Sequence, residues 1–125
     1  MKVKAIEVLK AFPVLQKLAQ ERIPLLAAVC LSRQVKKLHP EWTILEAQRG
    51  AKVEELGVRD EKDQTQFRLT PEAQQAYLKF FVELSEIDLE VEVPVLCAST
   101  LGKTEITAAN LLDLGPFIDT TSLEG

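Results

Sequence analysis

The chain has little of what usually carries chemistry: among its 125 residues are one histidine, one tryptophan, one tyrosine and two cysteines. A single imidazole and two distant thiols cannot make the ligand spacing of a structural zinc site, so no metal is expected. Two cysteines are also too few for a disulfide-stapled scaffold. Cys30 lies in LLAAVCL and Cys97 in VPVLCAS, both apolar settings. They read as two buried thiols, Cys30 protonated and inert among its apolar neighbours, with a disulfide between them as the alternative. No apolar run approaches the roughly 20 residues that cross a bilayer. The first segment, MKVKAIEVLKAF, is broken by charge throughout and does not read as a signal peptide. A soluble chain with no membrane partner is the expectation. Glycine is scarce as well. Gly102-Lys103-Thr104 ends like a phosphate loop, but Cys97 stands where that motif needs its first glycine, so no nucleotide and no other cofactor is expected.

What the chain does have is the composition of an ordinary globular domain, 46% hydrophobic and 27% charged, enough to build one core but not two. Residues 1–125 read as one domain, with 119–125 as a tail. The charge is divided unevenly. Through Val82 there are 14 Lys and Arg against 10 Asp and Glu, whereas from Glu83 onward Lys103 stands alone against nine acids. An acidic C-terminal third repels phosphate backbones, so nucleic acid is not an expected partner.

The longest pattern runs from Pro24 to Gly57. Leu25, Ala28, Ser32, Val35, Leu38, Trp42, Leu45, Arg49, Lys52 and Leu56 recur at steps of three or four, the spacing of one helix face. The stripe frays into Arg49 and Lys52, so its first part should be the more deeply buried. Pro24 suits a first helical position and Gly57 a left-handed residue after the last turn. Pro40 cannot donate to the ladder, which predicts a kink or break and two pieces near 24–38 and 41–56. Upstream, residues 5–20 read as helical with a bend at Pro13, and Lys2–Ala5 reads either as the start of a short strand or as part of that helix. Downstream, VRDEKDQTQFRL has no period and reads as a loop that ends in a short strand near Gln66–Leu69. Thr70-Pro71-Glu72 then combines a capping hydroxyl, a first-turn proline and an acid at the positive end of a helix. Ala73, Ala76, Tyr77, Phe80, Phe81 and Leu84 form the apolar face of that helix, which should pack beside Trp42 and Leu45.

At Ile87 the period changes to two. Ile87, Leu89, Val91 and Val93 alternate with Asp88, Glu90 and Glu92, which buries one strand face and leaves three carboxylates on the other. Val95–Ala98 is read as continuing that layer, Glu105-Ile106 as pairing briefly, and Thr107 as capping a helix of 108–114. Phe117 and Ile118 should dock as an anchor. The fold class is α+β: a long helix, kinked at Pro40, with two further helices packed on it, a small sheet and a short C-terminal helix.

No motif assigns a reaction. A catalytic base needs a nucleophile or acid in hydrogen-bond reach, and nothing local supplies one for His39, which reads as solvent-facing. A row of acids along one strand is more often a solvated face than a flanking catalytic pair. It also protects an edge from aggregation and offers charge to a basic partner. Arg33, Lys36 and Lys37 form the one basic cluster, without the interleaved aromatics of a nucleic-acid surface.

Three features in order, Ile23-Pro24 opening a long helix, the acidic strand IDLEVEVP from Ile87 to Pro94 and the ending ITAANLLDLGPFI from Ile106 to Ile118, resemble small proteins encoded by tailed phages and prophages. The resemblance implies a viral protein of the virion or host cytoplasm. The leading expectation is a non-enzymatic protein that binds other protein as a minor virion or assembly component, with Asp88, Glu90, Glu92, Phe117 and Ile118 as contact residues and self-association left open. An accessory inhibitor of a host protein acting by acidic mimicry, or a small enzyme, are the alternatives.

Overall fold

A computed structural model describes residues 1–59 and 67–121. It shows an α+β fold of four α-helices and three two-stranded pieces of sheet among the described residues. Strand β1 (Lys2–Lys4) leads directly into helix α1 (Ala5–Leu18), and the long helix α2 spans Leu25–Leu56. Strands β2 (Val58–Arg59) and β3 (Phe67–Arg68) pair antiparallel ahead of α3 (Pro71–Ser85). Strand β4 (Asp88–Glu90) pairs antiparallel with β1, placing Lys2 opposite Glu90, Val3 opposite Leu89 and Lys4 opposite Asp88. Strand β5 (Leu96–Cys97) and a 3-10 turn (Ala98–Leu101) precede α4 (Ala108–Leu114), and β6 (Ile118–Asp119) follows. The loop expected in 58–66 falls largely on 60–66, and the end of the expected tail on 122–125. Both stretches lie outside the described residues.

The deepest element is α1. Eight of its fourteen residues are buried, too many for one stripe, because α1 packs against α2, α3 and α4. Phe12 and Leu15 at its centre are fully buried, each such side chain contributing on the order of 1.5–3 kcal/mol of apolar burial. Helix α1 runs unbroken through Pro13, and the Glu7 carboxylate closes its first turn by accepting from the Lys4 backbone N–H at 2.9 Å.

Helix α2 is likewise continuous, so of the kink or break expected at Pro40 the break does not occur. One lost hydrogen bond among 32 residues is outweighed by packing on either side, where Leu38 and Leu45 are buried and Trp42 lies against Phe12 with ring centroids 4.9 Å apart. The buried face is Ala27, Leu31, Gln34, Leu38 and Leu45. The expected line holds at Leu38 and Leu45, with Val35 and Trp42 half-buried on it, but not in the first turns, where Leu25 and Ser32 are exposed. LLAAVCL is apolar on nearly every side, and its period could not fix which side turns inward. Pro24 sits one position outside the helix as its cap. Gly57 is extended, at φ −84° and ψ 158°, because the chain runs straight on into β2. Burial does fade along α2 as expected, with nothing fully buried beyond Leu45.

Both predicted hydroxyl caps are present. Thr70 Oγ1 accepts from the Ala73 N–H at 3.2 Å and Thr107 Oγ1 from the Asn110 N–H at 3.1 Å. The sheet differs more. Strand β5 does not extend the acidic layer; it pairs parallel with β6, and Glu105-Ile106 forms no strand. Asp119 therefore belongs to β6 rather than to a tail.

Candidate contact surface

The alternation read in IDLEVEVP puts Asp88, Glu90 and Glu92 on the surface, but their charge is largely answered from within. Pairing with β1 sets two lysines across from them. Lys4 Nζ lies 3.1 Å from Asp88, Lys2 Nζ lies 4.0 Å from the same carboxylate, and the Met1 amino group lies 3.3 Å from Glu90. The hydrogen bond and charge of Lys4 hold the Asp88 carboxyl below its ordinary range, and Asp88 raises Lys4 in return. Glu92 makes no ion pair among the described residues. The strand is thus a nearly balanced charged ribbon. Its carboxylates do not form the uniform negative field that mimicry of a nucleic acid requires.

Phe117 corrects the expected contact set. It is wholly buried in the core and cannot touch a partner in this fold; Ile118 is half-buried and paired in β6. Their expected role as an internal anchor is the one the packing shows. Gln34, fully buried on α2, holds this anchor by donating from Nε2 to the carbonyls of Phe117 and Pro94, at 2.8 and 2.9 Å. His39 is exposed, with its ring 5.8 Å from that of Phe12.

The cysteines depart from expectation. Both are free, Cys30 half-buried and Cys97 exposed. Together with Leu26, Val29, Arg33, Pro94, Val95 and Thr100 they line an open groove of about 230 Å³ between α2 and the segment entering β5. Leu26 is 70% exposed, and Val29 and Val95 are each 41% exposed. On α2 the positions 26, 29, 30 and 33 are one face, so an apolar strip ends in a guanidinium. Arg33 makes no ion pair among the described residues, and neither do Lys36 and Lys37 just beyond it.

No family model, curated protein or solved structure matches this chain. Its own surface is therefore the guide to its function. The sequence carried one overlooked signal of the groove. In a helix that is apolar all round and lies at the edge of a small domain, one apolar side must face outward, and the Leu25-Leu26 pair marked it. A larger surface groove, about 560 Å³, runs past Glu46, Arg49, Gly50, Glu54 and Tyr77. There Arg49 is committed internally, donating to Tyr77 Oη at 3.1 Å and to Glu46 at 2.6 Å, with its guanidinium carbon 5.5 Å from the centre of the Phe81 ring. The Tyr77 bond, more than the Glu46 bond, raises the pKa of Arg49. This cluster fastens α3 to α2. No helix among the described residues is long and apolar enough to cross a membrane.

Proposed function

We propose that this chain works by holding another protein in the groove between α2 and β5, as a non-enzymatic minor virion or assembly component of a tailed phage. The observation that carries the binding reading is the exposed apolar strip of Leu26, Val29 and Val95, beside the half-buried Pro94 and ending at Arg33. Exposed apolar side chains that cluster in a groove mark contact sites far more often than those scattered singly. Charge complementarity defines the occupant: a protein segment with apolar side chains at its centre and a carboxylate at one end to meet Arg33. The phage setting rests on the resemblance of the sequence pattern. Asp88, Glu90 and Glu92 form a second, weaker contact, since ion pairs already engage two of them.

The test is incorporation of a tagged chain into particles. A Val29→Asp, Val95→Asp variant that keeps its thermal transition should be lost from purified particles, and Arg33→Glu should be depleted. Reversing Asp88, Glu90 and Glu92 to lysine should lower incorporation less. Full incorporation of the groove variant would overturn the assignment of the groove, and absence of the wild-type chain from particles would overturn the virion role. Against the isolated chain, a synthetic amphipathic peptide bearing Glu at its end should shift the amide signals of Val29 and Val95 more than its Lys counterpart.

A further inference from the structure

Cys30 of α2 and Cys97 of β5 are distant in sequence but line the same groove, on elements packed directly against each other. Both are free. Their accessibility differs: Cys97 is exposed and Cys30 half-buried, so an incoming reagent meets Cys97 first. Burial, and then the charge of Cys97, raise the pKa of Cys30, while Arg33 acts the other way. The strand carrying Cys97 is two residues long, held by a two-residue partner and preceded by a stretch without regular structure, so little ladder opposes a local shift. Nothing in the binding role uses either thiol.

We propose that Cys30 and Cys97 form a reversible thiol–disulfide pair across the groove, closed by a small disulfide such as oxidised glutathione. The Cys97 thiolate attacks one sulfur of oxidised glutathione and expels a glutathione thiolate, leaving a mixed disulfide on Cys97. Cys30 then loses its proton and attacks the Cys97 sulfur, expelling the second glutathione. Two protein thiols lose two electrons and two protons, and one oxidised glutathione becomes two reduced ones. Cys30 is the less accessible of the two and is reached only after Cys97, which makes it the resolving rather than the first attacking thiol. The bond ties Pro94–Cys97 to α2 and narrows the gap between Val29 and Val95. The pair does not depend on whether a protein docks in the groove.

The experiment exposes the folded, reduced chain to excess oxidised glutathione and follows intact mass and free thiols. Both thiols should disappear, the mass should fall by two hydrogen atoms with no glutathione retained, and dithiothreitol should reverse the change. Cys30→Ser should keep glutathione on Cys97, while Cys97→Ser should react slowly; Cys30→Ala serves if the serine variant does not fold. The oxidised chain should unfold at a higher urea concentration than the reduced one, because the bond closes a long loop. A persistent glutathione adduct on Cys97 with Cys30 still free, or disulfide-linked dimers in place of the internal bond, would overturn the proposal.

Discussion

Gln34 donates from Nε2 to the carbonyl of Phe117 at 2.8 Å, tying the first third of α2 to the last turn before β6. The same nitrogen reaches the Pro94 carbonyl at 2.9 Å, so one buried amide holds two segments that have almost no sheet of their own. Its Oε1 is buried without a partner, which is unfavourable by itself. The donor side of the amide must outweigh that cost. Gln34→Met keeps the volume and loses both donors, leaving two carbonyls unpaired, and should destabilise the fold by about 2–4 kcal/mol in urea denaturation. A loss below about 0.5 kcal/mol would mean that water reaches both carbonyls and that the amide is dispensable.

The ion pair of Lys4 and Asp88 makes a prediction about pH. The Asp88 carboxyl is lowered from its ordinary 3.8 in the folded chain, so its support is complete above that value and lost as pH falls through the folded one. Lys4 is raised from 10.5, so its support is complete below that value and lost as pH rises through the folded one. The pair therefore supports β1–β4 throughout the window between. Carboxyl-carbon NMR should place the Asp88 midpoint below 3.8, and Lys4→Met should move it back up. An unmoved midpoint would assign the shift to something other than Lys4.

Local chemistry was the legible part of this fold. Thr70 and Thr107 were readable as caps because a hydroxyl before a helix satisfies an orphan N–H whatever surrounds it. The alternation from Leu89 to Val93 was readable too, because strand side chains point alternately to two faces, but it fails at Ile87, which is exposed. The phase of α2 was not readable, because LLAAVCL offers apolar side chains in every direction and only tertiary packing chooses Ala27 and Leu31 over Leu25. Nor could the sequence show that Lys2 and Lys4 would lie opposite Glu90 and Asp88, since that pairing spans most of the chain. The acidic strand thus seemed freer to bind a partner than it is. Of the groove only the α2 side was marked, by Leu25-Leu26; its other wall was hidden, because it comes from a segment some sixty residues later.

Gly102 has φ of +63° and ψ of −124°, a backbone region that side chains rarely enter. A Cβ added there would also come within 3.1 Å of the Pro24 ring, which caps α2. Gly102→Ala should therefore cost about 1–3 kcal/mol, read as a lowered urea midpoint. Exchange of amides in the first turns of α2 should quicken at the same time. A neutral substitution would show that the turn after Leu101 relaxes away from Pro24.

Pro40 lies on the exposed side of an unbroken α2, where it leaves the Lys36 carbonyl without its i+4 donor. Pro40→Ala supplies that donor but also gives the unfolded chain more freedom, worth about 0.4–1 kcal/mol against the fold. Interior proline costs about 3 kcal/mol relative to alanine, so the helical term should win and the variant should gain about 2 kcal/mol. Urea denaturation with far-ultraviolet circular dichroism measures both the stability and the retained helix. Loss of stability would give Pro40 a positive role: the local backbone geometry it imposes would be what seats Trp42 on Phe12.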